Sequence, residues 1–101
     1  MTTKIQHTPG PWTRGKSANG RKAVFAECRG TIPIAYVGGN GQPIEIEYAN
    51  ANLICAAPDM YAALKDWIRM EDEGPHESGI SPLALYTRAR AALAKAEGKA
   101  S

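Results

Sequence analysis

The chain has 101 residues, 44% of them hydrophobic and 22% charged, with a formal net charge of +2. That suits one small domain and excludes a multi-domain enzyme. The longest apolar runs fall far short of the ~20 residues a membrane span needs, and the start, Met1 to His7, lacks the apolar core of a secretion signal, so no membrane and a cytosolic setting are expected.

The first 43 residues read as a β meander, because Pro and Gly punctuate runs that are β-branched or aromatic. Thr8-Pro-Gly-Pro-Trp12 is a rigid lead-in to a short strand at Trp12-Thr-Arg14. Ser17-Ala-Asn-Gly20 reads as a tight turn, since Asn-Gly supplies positive φ angles. Ala23 to Cys28 reads as a second strand and Ile32 to Val37 as a third. Pro33 cannot donate a ladder hydrogen bond, which predicts a strand start or an edge.

Gly38-Gly-Asn-Gly-Gln-Pro43 is a glycine-rich loop. Ile44 to Tyr48 alternates as a strand would, yet a helix beginning near Glu45 to Glu47 is favoured, with acidic residues in the first turn where the helix dipole welcomes them. Residues 44–101 form the helical part. Pro58 predicts a break, with Ala57-Pro-Asp59 opening a second helix. On that helix Met60 or Tyr61, Leu64, Trp67 and Ile68 recur at the spacing of one buried face. Residues 73–81 read as a loop by composition, and Ser81-Pro82 as a restart, a hydroxyl cap followed by proline. Leu83, Tyr86, Ala89 and Leu93 then form an apolar stripe among alanines, and the residues from Gly98 onward are expected to fray. The expected fold class is α+β: one domain over 1–101, a small N-terminal antiparallel sheet followed by two or three helices, the last two paired as a hairpin.

Charge is unevenly spread. Residues 1–30 hold six basic residues against Glu27 alone, residues 31–60 hold three acidic residues and no basic one, and the remainder balances at six against six. No Lys/Arg run exceeds two residues, which argues against duplex DNA or RNA as partner. Cys28 and Cys55 show neither CxxC nor Cys-His spacing, so a disulfide framework and a zinc site are poor readings. Cys55, inside Leu53-Ile-Cys-Ala-Ala57, reads as a small buried apolar residue, and Cys28 as a reduced strand residue.

The glycine loop matches neither the P-loop nor the dinucleotide fingerprint. No nucleophile elbow or acid–base pair stands out, the Glu71-Asp-Glu73 cluster reads as a solvated helix end, and no cofactor is implied. Binding without chemistry is the easier reading, because Trp12, Tyr36, Tyr48 and other aromatics offer flat faces while Arg14, Arg21, Arg88 and Arg90 can neutralise phosphate. Arg88 and Arg90, two residues apart on a helix, point roughly 200° apart and cannot line one pocket of one chain. Asn50 and Asn52 are poor helix formers and invite a capping or ligand role.

His7-Thr-Pro-Gly-Pro-Trp12, followed by Ala49-Asn-Ala-Asn-Leu-Ile-Cys-Ala-Ala-Pro-Asp-Met-Tyr-Ala-Ala-Leu64, resembles a widespread group of small proteins encoded by bacteriophages and prophages. The layout is also similar in outline to phage sponges that sequester nucleotide immune signals, such as the anti-Thoeris sponges and their cyclic ADP-ribose isomers. The resemblance implies a non-enzymatic protein of the host bacterial cytoplasm, a nucleotide-derived ligand, and a homo-oligomer that completes its thin core with a copy of itself. Trp12, Asn50, Asn52, Arg88 and Arg90 are then the candidate ligand residues, the aromatic stacking and the arginines meeting phosphate. The alternative is an interaction module that inhibits a host protein or assists phage replication.

Overall fold

The computed structural model describes residues 6–39 and 41–99; Met1 to Ile5, part of the segment in which no secretion signal is read, and Asn40 of the glycine loop lie outside them. Three strands come first, β1 (Trp12–Lys16), β2 (Lys22–Ala26) and β3 (Pro33–Tyr36), in the order β1-β2-β3 with both pairs antiparallel. Two helices follow, α1 (Ile44–Ser78) and α2 (Pro82–Ala96), packed against each other as a hairpin. The fold is α+β, an N-terminal antiparallel sheet and a C-terminal helical pair, as the sequence predicts.

Local chemistry explains the turns. The β1–β2 turn closes with the Ser17 N–H donating to the Arg21 carbonyl at 2.8 Å and the Gly20 N–H to the Ser17 carbonyl at 2.9 Å. Of Asn19 and Gly20 only the glycine takes a positive φ, 83°. Pro33 opens β3, an edge strand, where its missing N–H costs no ladder bond. The second strand is shorter than expected: Cys28 lies in a 3-10 turn, Glu27–Arg29, and is exposed.

The break expected at Pro58 does not occur. One helix runs through it, because a proline removes a single backbone bond and its ring here finds compensating contacts, lining a cleft with His7, Trp12 and Tyr61 beside Gly10. Helical geometry fails instead at Gly74, with φ 86° and ψ 162°, a conformation that glycine alone enters readily. Residues 75–78 add a final turn, and Gly79 ends it in the left-handed region at φ 72°. The loop expected over 73–81 is therefore partly helical. Ser81 caps α2 as predicted, its Oγ accepting the Ala84 N–H at 3.4 Å ahead of Pro82. Gly98 and Lys99, expected to fray, donate to the Lys95 and Ala94 carbonyls at 3.1 and 2.8 Å; Ala100 and Ser101 lie outside the described residues.

The core between sheet and α1 is Val24, Val37, Ala51 and Cys55, with Trp12 and Ile54 packed against it. Between the helices the buried positions are Ala56, Ala63, Leu85 and Ala92. The two stripes expected to be buried are not: Leu64, Trp67, Ile68, Leu83, Tyr86 and Leu93 are all more than half exposed, and Tyr61 is half exposed. Small residues on the facing sides let the two backbones approach closely, so the large side chains flank the contact rather than fill it.

Candidate functional site

Positive charge that is not spoken for collects where the sheet meets the start of α1. Arg14 and Lys22, from adjacent strands, both sit over the Tyr48 ring, with the guanidinium carbon 4.7 Å and the ammonium 3.6 Å from its centroid. Strand register explains this. Arg14 pairs with Val24 and Lys16 with Lys22, which puts Arg14 and Lys22 on the core-facing side of the sheet, where α1 presents Tyr48 one turn in from its start. Lys22 is buried, and the ring face is the partner that makes its burial tolerable.

Arg21 lies beside this site but toward the other face of the sheet, where Tyr36 projects because it pairs with Ala23. Its Nε and Nη2 donate to the Gly38 carbonyl at 3.3 and 3.2 Å, while its guanidinium covers the Tyr36 ring at 4.3 Å. The glycine loop is held to the helix by Glu47, whose carboxylate accepts the Gly39 N–H at 3.3 Å. The bare Gly38 backbone gives the Glu47 carboxylate room, since a Cβ there would meet its Oε1 at 2.9 Å and push the side chain aside. Among the described residues none of Arg14, Arg21 and Lys22 is ion-paired with a carboxylate.

A second basic area differs in just this respect. Asp59, Ala62, Arg88, Ala91, Ala92, Lys95 and Lys99 line a groove of about 590 Å³ along the helical hairpin. Arg88 is paired with Asp66, Lys95 with Asp59 at 3.2 Å, and Lys99 with Glu97 at 3.3 Å. The groove is thus charge-balanced, whereas the corner has cations to spare.

The five residues singled out from sequence do not converge in one place. Trp12 donates its indole N–H to the Thr8 carbonyl at 3.1 Å and stacks into the sheet–helix core. The Asn50 amide donates to Gln42 at 3.4 Å, tying the helix to the segment before it. Asn52 is half-buried against Gly98, where a Cβ would collide with its amide. Arg88 lies in the hairpin groove and Arg90 sits 5.8 Å from the centroid of Tyr86, outside it, which agrees with their divergence on the helix. The residues that do converge, Arg14, Lys22 and Tyr48, were partly visible as N-terminal positive charge. Their meeting depends on register and on where α1 crosses the sheet.

Burial raises the Cys55 thiol above its ordinary pKa, with Lys95 and Arg14 pulling the other way. Among the described residues no group of three His, Cys, Asp or Glu side chains is placed to hold a metal ion, and no helix is long and apolar enough to cross a membrane. No curated protein and no solved structure matches the chain. A family model described as Salmonella phage P22 protein Y8K6 matches residues 1–100, and the chain belongs to that phage family.

Proposed function

We propose that this phage protein works by binding, and that it holds without cleaving an anionic ligand with a flat ring at the Arg14–Lys22–Tyr48 corner. The ligand class is a nucleotide-derived immune signal, a cyclic ADP-ribose isomer or a cyclic oligonucleotide, whose sequestration suppresses host anti-phage defence. The observation that supports this reading is the pair of cations on Tyr48 with no carboxylate ion pair among the described residues. A guanidinium that is not ion-paired can turn to phosphate, a charge-assisted contact worth about 1.5–3 kcal/mol, and Arg14 in turning leaves its place over the Tyr48 ring to a base.

A thermal-shift panel of cyclic ADP-ribose isomers and cyclic dinucleotides tests it. A true ligand at a hundredfold excess over its dissociation constant stabilises the protein by about 2.7 kcal/mol, and mass spectrometry recovers it intact after release. Arg14→Ala and Tyr48→Ala weaken that binding at least about tenfold, one lost contact each at ~1.4 kcal/mol per decade. Absence of any shift across the panel would sink the reading. The second reading, an interaction module acting on a host protein or in phage replication, is favoured by the apolar side chains exposed along α1 and α2. Co-purification of a stoichiometric protein partner, with no ligand shift, would select it.

A further inference from the structure

The exposed apolar residues of the hairpin are not scattered. At 100° per residue, Leu53, Met60, Leu64 and Trp67 fall on one side of α1, opposite the sheet and flanking the contact with α2. Tyr86 and Leu93 project from α2 to that same side, opposite the Arg88–Lys95 groove. Five of these six side chains are more than half exposed. Along α1 the pattern is a seam: Ile46, Leu53, Met60 and Trp67 recur every seven residues, with Ala57 and Leu64 four residues after Leu53 and Met60. A repeat of 3.5 residues is what a helix packed lengthwise against another helix uses. Among the described residues no helix covers that seam, since α2 lies beside it.

We infer that a second copy of the chain covers it, the two hairpins stacking face to face as a four-helix bundle with the sheets outside. Size carries the choice of occupant. The chain exposes 7296 Å², where a folded monomer of 10.8 kDa exposes about 5,500 Å². The surplus exceeds the ~800 Å² per partner of a standard interface. The radius of gyration is 16.1 Å against about 13 Å for a compact chain of this length, and the shortest dimension is 19 Å. In that slab the sheet covers one face of the hairpin and leaves the other bare, and a two-fold partner supplies the missing layer there. The rim of the face carries both signs, Glu71 and Glu97 with Arg90, which suits pairing with itself rather than with a strongly charged partner.

Sedimentation equilibrium on the full chain, without ligand, reads the result directly: the mass should be twice 10.8 kDa and fall toward the monomer only on dilution. Hydroxyl-radical oxidation of Met60 and Trp67 should be suppressed in the dimer. Leu64→Glu with Leu93→Glu should give a monomer, while Leu83→Glu, on the back of α2, should leave the mass unchanged. The gentler Leu64→Ala should raise the dimer dissociation constant at least about tenfold if the double variant does not fold. A chain monomeric at all concentrations, a dimer in which Met60 and Trp67 oxidise freely, or one that Leu83→Glu alone splits overturns the inference, as does capture of this face by a different protein. None of these outcomes bears on the ligand corner, which is read by the thermal-shift panel.

Discussion

Leu83 and Leu85, two residues apart on α2, show how little a residue's type says about its contribution. Leu85 is 2% exposed and Leu83 73%. Leu85→Ala should therefore cost about 2–5 kcal/mol, a large share of a small domain's stability, while Leu83→Ala should stay within about 0.5 kcal/mol. Urea midpoints of the two variants check this. The cysteines form a similar pair. Exposed Cys28 should react with a thiol reagent in the native state at once, and buried Cys55 only after unfolding. Burial also gives Cys55 a linkage to pH. Its folded pKa is raised, so its contribution is complete below the unfolded thiol value and is lost as pH climbs through the folded one. A Cys55→Ala variant should accordingly lose less stability between neutral and strongly alkaline pH than the parent. Burial of Cys55 was legible in its apolar neighbours; the proximity of Lys95 and Arg14, from distant parts of the chain, was not.

At the scale of elements, glycine and proline did not carry equal information. Ser81-Pro82 predicted a helix start correctly because the cap and the fixed φ of proline act locally. Pro58 misled because the cost of an interior proline is finite and contacts from Gly10 and Trp12 stand against it. Gly74 terminates the regular helix through its backbone angles, so Gly74→Ala should destabilise by about 1–3 kcal/mol, seen as a lower Tm, whereas Ser81→Ala should cost about 1 kcal/mol through loss of the cap. The helix–helix contact is set by alanines. Ala92→Leu should push α2 off α1 and cost about 1–3 kcal/mol, with the Asp59–Lys95 and Asp66–Arg88 pairs disturbed alongside. Periodicity marks their larger neighbours as core, because the spacing of apolar residues says that a face is apolar and not what lies against it.

For the whole molecule, two kinds of surface predict two responses to salt. The binding proposed at the Arg14–Lys22–Tyr48 corner would be electrostatic, and its affinity should fall as ionic strength rises. Association through the Leu64–Leu93 face is apolar and should hold or strengthen in sulfate, so titrating salt while following ligand affinity and mass separates the two. Fold class, strand order and the cap of α2 were determined by the sequence alone, because turn chemistry, capping and alternation act between residues close along the chain. The corner on Tyr48, the continuity of α1 through Pro58 and the exposure of both apolar stripes were decided by tertiary structure. Each depends on which surfaces of distant segments meet, and packing settles that only when alanines bring the helices together and register brings Arg14 and Lys22 to one ring.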